Sequence, residues 1–207
     1  YPSVFPTDPI SGASVVAPAS HSVLYTYAYN DNVSYQWFAP AGLTRGVVQN
    51  ASNVGYINSE NEFVAVSLTQ GNRDAMYLNK LNPIVNFPAE GIIIFGQKTL
   101  AASASALDRV NVARLVAYLR ERFAVVSRPY LFDESVRTNV AQTFSGFLAS
   151  VETNRGLYDF SVVCDTTNNT PARIDRNEIY VDIAIAPTKS SEFIYIPVRI
   201  VNTGDLS

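Results

Sequence analysis

The chain has 207 residues, 47% of them hydrophobic, which suits one domain with its own core. Lys and Arg number 15 against 18 Asp and Glu, a formal net charge of −3, so the basic surplus that phosphate neutralisation requires is missing and nucleic acid is not expected as a direct partner. A single cysteine, Cys164, excludes an internal disulfide, and with a single histidine, His21, far away in sequence it does not make a zinc set. No stretch approaches the ~18 consecutive apolar residues of a membrane span, so membrane insertion is not expected, and no signal peptide opens the chain. An opening of Tyr1-Pro2-Ser3 without Met reads as a fragment or a processed product.

Residues 1–22 carry Pro2, Pro6, Pro9 and Pro18 among Ser, Ala and Thr, and read as an extended arm or linker ahead of a domain over 23–207. Val23 to Tyr29 alternates like a strand, with Asn30-Asp31-Asn32 as its turn. Trp37 to Gly42 is an aromatic loop, and residues 43–70 read as irregular with short strands. A short helix is expected over 72–82, ending before Pro83. Gly91-Ile92-Ile93-Ile94-Phe95-Gly96 is too short for a helix and rich in β-branched residues, so it predicts a buried strand.

Over 106–126 the apolar residues Val112, Leu115, Val116, Leu119 and Phe123 share one helical face, with Arg114, Tyr118 and Glu121 opposite. A second helix over 133–153 has the stripe Val136, Val140, Phe144, Phe147 and Val151, with Asp133 as N-cap and Gly156 as stop. Gly146 within it predicts a close backbone approach. Three alternating strands follow, at 158–163, 179–185 and 194–200. The expected fold is α+β: a two-layer domain with a mixed β-sheet, two long helices on one face and extended terminal arms. Pro197 has no N–H to give a ladder, so the last strand is expected at an edge, where it can pair with another molecule.

Candidate chemistry is thin. Gly91 and Gly96 followed by Gln97-Lys98-Thr99 approach a phosphate-binding loop, but Gln97 displaces the lysine and the intervening residues are strand formers. Asp159, Asp165, Asp175, Glu178 and Asp182 are scattered and form no calcium-loop pattern. Neither His21 nor Cys164 has a neighbouring activator. No cofactor and no enzymatic activity are expected. The charges Arg109, Arg114, Arg120, Arg122 and Glu121 spread around the long helix, either as a solvated face or as a docking face for a charged partner.

In order along the chain, Trp37 to Gly42, Leu81-Asn82-Pro83-Ile84, Gly91 to Leu100, Leu107 to Leu115, Arg155 to Phe160, Asn168 to Pro171, Ile174 to Glu178 and Phe193 to Ile200 resemble the C-terminal region of contractile tail sheath proteins. The similarity runs across residues 20–204 and is strongest to myovirus-type, T4-like phages. It implies a structural subunit that forms hexameric rings stacked helically around an inner tail tube. Contraction of such a sheath drives the tube through the host envelope on energy stored in subunit packing. The resemblance further implies identical subunits, the tube protein, and baseplate and tail terminator proteins as partners. The place would be the virion tail, assembled in the host bacterial cytoplasm. A sheath of a related bacterial system, of the type VI secretion or tailocin kind, is the alternative; a nucleotide-using enzyme and a monomeric binding module are more distant ones. In that family terminal arms add strands to neighbours, which marks Phe193, Ile194, Tyr195, Ile196, Val198, Arg199, Ile200 and Val201 for inter-subunit pairing, and the five helix charges as tube- or neighbour-facing candidates.

Overall fold

The computed structural model describes residues 2–131 and 137–197. The elements follow as β1 (Ser3–Pro6), α1 (Ala19–Val33), α2 (Gly42–Arg45), β2 (Ala51–Ile57), β3 (Phe63–Ala65), α3 (Gln70–Leu78), β4 (Ile84–Phe87), β5 (Gly91–Ile94), α4 (Val110–Val126), α5 (Arg137–Thr153), β6 (Leu157–Val163), α6 (Pro171–Ile174) and β7 (Asp182–Pro187). Helices and strands are thus combined as an α+β chain, but the expected single mixed sheet is not what forms. Three small antiparallel sheets do: β1-β2-β3, β4-β5 and β6-β7. With only four residues each, β4 and β5 make a short ladder, and beyond it a single bridge from Val47 meets Ile93.

The N-terminal stretch is laid into the body. Ser3 to Pro6 pair with β2, Val4 is fully buried, and Val4 and Ala17 exchange two backbone hydrogen bonds of 3.0 Å. Its prolines sit where no ladder donor is needed, with Pro6 closing β1 and Pro18 preceding the first turn of α1. Val4, Val48, Val54, Ile84, Ile92 and Ile94 form this half's core. The isoleucine run of β5 is buried on both faces, as expected of a continuous apolar strand.

The expected strand over 23–29 is a helix. Its inward row is polar: Ser22, Thr26 and Asn30, four residues apart, are buried, while Leu24, Tyr25, Tyr29 and Val33 are exposed. An inverted helix of this kind carries no apolar helical period, and its tyrosines at 25, 27 and 29 mimic period two. Tertiary contacts hold it instead. Asn30 Nδ2 donates to the Thr26 and Arg45 carbonyls at 2.8 Å each, and Arg114 on α4 donates to the Asp31 carboxylate at 2.6 Å while its guanidinium lies over the Tyr27 ring.

In the C-terminal half, α4 and α5 pack on the β6–β7 hairpin. Leu115, Leu119, Leu148, Val151 and Leu157 are buried with Trp37, and Phe160, Val162, Ile183 and Ile185 close against them. Trp37 is stacked on Tyr35 with centroids 4.6 Å apart, and its indole N–H donates to the Asn154 carbonyl at 3.0 Å, past the end of α5. The long helix starts at Val110 and not at 106, because Arg109 is extended and bridges Lys98. The expected α5 residues Asp133 and Val136 lie outside the described residues; Val140, Phe144 and Val151 are buried as predicted. Gly146 is a correction: a Cβ there meets no atom within 4 Å, so it serves no close approach. Gly156, after α5, is crowded: its Cβ would lie 2.6 Å from Val151 Cγ1 and 3.1 Å from both the Trp37 ring and the Val151 carbonyl.

The last hairpin begins later than its sequence alternation. Tyr180 does not join the β6 ladder, because the buried Asn169 side chain takes the place of a strand partner. Its Oδ1 accepts from Tyr180 N at 2.7 Å and its Nδ2 donates to the Tyr180 carbonyl at 2.9 Å. Strand pairing starts at Asp182, and from there Ile183 and Ile185 point inward as expected.

Leu148→Ala, at a fully buried site, is expected to cost about 2–5 kcal/mol in urea unfolding. Gly146→Ala should raise stability by up to about 1 kcal/mol, because the helix gains propensity and nothing is crowded.

Candidate functional site

The candidate site is where the chain leaves the body after β7. Two anchors fasten it. At the first, Thr188 N donates to the Gly156 carbonyl at 3.2 Å, its hydroxyl donates to the Arg155 carbonyl at 2.9 Å, and Asn111 Nδ2 donates to the Thr188 carbonyl at 3.4 Å. At the second, Glu192 receives Arg109 Nε at 2.6 Å and Gln97 Nε2 at 3.3 Å. Arg109 also meets Asp108 at 2.9 Å. Burial alone would lower the Arg109 pKa, but the Glu192 hydrogen bond and charge outweigh it and hold the guanidinium above its ordinary value. The Tyr77 hydroxyl is pushed well above its ordinary range, first by burial and then by the neighbouring Glu192 carboxylate. Glu192 lines two open spaces, one of about 640 Å³ towards Tyr77, Phe95 and Gln97, and one of about 560 Å³ towards Ala104 and Asp108.

Beyond Glu192 the chain is apolar and open. Phe193, Ile194, Tyr195 and Ile196 are 63–87% exposed, and residues 191–197 hold no regular element. Four consecutive large apolar side chains in water need a cover from outside this chain's described residues. Val198, Arg199, Ile200 and Val201 lie outside the described residues. The β6–β7 hairpin offers the complementary feature. One of its faces is covered by α4 and α5, and among the described residues neither of its outer edges pairs with a further strand.

The five charges do not converge. Arg109 is held by Asp108 and Glu192, and Arg114 is spent inside on Asp31. Arg120, Glu121 and Arg122 are exposed, and the Arg122 guanidinium lies 5.3 Å from the Tyr118 ring centre. Tyr118, read as outward, packs edge-on to Trp37. The residues that resembled a phosphate loop are committed elsewhere: Gly91 to Ile94 are ladder strand, and Lys98 Nζ donates to the Tyr77 carbonyl at 2.8 Å. Of the scattered acids, Asp165 turns back on Thr167, Glu178 pairs with Arg176, and Asp182 accepts from Asn168. No helix of the described residues is long and apolar enough to cross a membrane. Sequence reasoning missed Glu192, although it is the sole charge between Lys189 and Arg199. It also missed Asn169, whose role depends on a fold it does not announce.

Residues 102–201 match the phage tail sheath C-terminal domain. This segment belongs to the tail sheath family. The chain is 36% identical over 180 residues to the tail sheath protein of Vibrio phage KVP40, covering 86% of this chain and 25% of that protein. It is 34% identical over 194 residues to the tail sheath protein of Enterobacteria phage T4, covering 90% and 27%. The chain therefore spans about a quarter of the length of these curated relatives. Among solved structures, the sheath complex of the PVC extracellular contractile injection system in its contracted state superimposes with a TM-score of 0.79 at 21% identity, over 100% of this chain and 55% of that one. The contracted helical sheath of the anti-feeding prophage gives 0.78 at 18%, over 96% and 54%. The sheath fold is thus shared well beyond close sequence likeness.

Within this sheath domain, Cys164 is buried beside Asn169, and burial raises its thiol pKa, so little thiolate is present at neutral pH. Asn169→Ala is expected to cost about 1–3 kcal/mol, because the Tyr180 N–H loses its acceptor and the Tyr180 carbonyl keeps only the 3.3 Å bond from Asn168. It should also speed Cys164 labelling by a thiol reagent by about tenfold or more through local opening.

Proposed function

We propose that the chain is the assembling domain of a phage contractile tail sheath subunit, which works by packing against copies of itself and not by catalysis. The observation that carries this reading is the exposed uncharged run Phe193 to Ile196, in a domain whose β6–β7 hairpin has unpaired edges among the described residues. The tail sheath relatives from phages support it. The sheath-type domain spans 23–207, preceded by residues 1–22, of which 2–22 are laid against it, and with the C-terminal segment as its extended arm. Its C-terminal half has two layers, α4 and α5 over the last hairpin.

In this reading Phe193, Ile194, Tyr195, Ile196, Val198, Arg199, Ile200 and Val201 add a strand to a neighbour's hairpin. Backbone ladder bonds carry no side-chain specificity of their own, so such a joint survives when subunits rotate and exchange other contacts. Subunits form hexameric rings, stacked helically around the inner tail tube. Contraction releases packing energy and drives the tube through the host envelope. The exposed charges Arg120, Glu121 and Arg122 face the tube or a neighbour, whereas Arg109 and Arg114 are braces within the subunit. The baseplate and tail terminator bound the stack, which assembles in the host bacterial cytoplasm and functions in the virion. The 34–36% identity to phage proteins favours a phage tail over a bacterial injection system.

Electron microscopy of the full-length subunit at high concentration tests this. Wild type is expected to form long hollow tubes with a regular axial repeat, and a variant ending at Glu192 is expected to stay unassembled. Normal tubes from the truncated variant would overturn the strand-pairing role.

A further inference from the structure

Between its two anchors the chain makes a short bridge, Lys189 to Ser191, and beyond the second the described residues 193–197 hold no regular element. The anchors differ in kind. Thr188 is held by neutral hydrogen bonds to backbone carbonyls and by Asn111. Glu192 is held by a charge-assisted bond from Arg109 and by a side-chain amide, in a half-closed setting where its side chain is 15% exposed. Gln97 is itself buried and directs its Nε2 to Glu192, and its Oε1 has no partner among the described residues. Arg109 is placed by the turn before α4 and by its bridge to Lys98, and Gln97 by the backbone bond from Val110 N to its carbonyl at 2.8 Å. The receiving side is therefore rigid, and the arriving side is a lone carboxylate in an otherwise uncharged stretch.

We infer that Glu192 is a positioning residue, a releasable clasp that sets where the C-terminal arm departs from the body. The spaces on either side leave the arm room to swing once the clasp opens. Nothing in the hydrophobic clusters depends on Glu192, so opening is local and leaves the core intact. The reading of residues 193–201 as an arm rests on the proposed function. The clasp itself is a property of one chain, and its test needs no second copy, so failure of the assembly reading and failure of the clasp are separable.

Trypsin supplies the test, because the Lys189–Ser190 bond lies between the anchors and its cleavage needs the chain on its C-terminal side freed from the second anchor. Cleavage there follows the population of the locally open form. In the purified protein, Glu192→Gln and Arg109→Gln are each expected to speed cleavage after Lys189 about tenfold, equivalent to ~1.4 kcal/mol of local stability. Cleavage at other sites and the unfolding midpoint should stay unchanged. The double variant should be less than additive, since both single changes remove the Arg109–Glu192 bond. An unchanged rate at Lys189, an additive double variant, or a parallel rise at all sites with a falling midpoint would each overturn the clasp.

Discussion

The packing of α4 and α5 against the last hairpin organises the whole chain, because α4 serves three neighbours at once. Its buried side, Leu115 and Leu119, meets Leu148 and Val151 of α5 and closes over Phe160 and Ile183. Its flank holds α1 through Arg114 and Asp31. Its entry, Arg109, holds the root of the C-terminal segment through Glu192. At roughly 1.5–3 kcal/mol for each fully buried aliphatic side chain, the leucine and valine contacts dominate. The ion pairs are partly exposed and contribute mainly by fixing direction. The apolar interface makes α4 rigid, and that rigidity gives the polar contacts at its edges a fixed place to point.

Much of this was legible from side-chain period. The isoleucine strand β5, the stripes of α4 and α5, and the inward alternation of Ile183 and Ile185 were all set by burial of one face or both, and burial follows period. The failures share a cause. Where polar side chains do the work of packing, period is silent. The inward row of α1 is Ser22, Thr26 and Asn30, and its tyrosines lie outward or to the flank, so the segment read as a strand. Tyr180 is removed from its ladder by one amide, that of Asn169. The sheets are separate because short hairpins are interrupted by helices, which local alternation does not report.

The site was legible in one respect and hidden in another. The apolar alternation and Pro197 pointed to a terminal edge strand at 194–200; residues 194–196 are exposed, residues 194–197 hold no strand, and 198–200 lie outside the described residues. Its fastening could not be read, because the partners of Glu192 lie 83 and 95 residues away, at Arg109 and Gln97. Ordered resemblance to sheath proteins supplied what period could not. Three of the matching stretches fall where this fold needs a special residue: Trp37 beneath α5, Gly156 at a crowded turn, and Asn168 and Asn169 behind the last hairpin.

The inverted helix α1 has a consequence for how the chain comes off the ribosome. Its apolar contacts to the core are limited to Ala19 and Val23, and its ionic brace lies 83 residues downstream, at Arg114. At about 5–20 residues per second, α1 waits roughly 4–17 s for that partner to be made. Leu24, Tyr25, Tyr29 and Val33 are exposed throughout that wait and remain so afterwards. The N-terminal half is thus born before the scaffold that shapes it. The brace that fixes α1 against α4 therefore closes only after both halves of the chain exist.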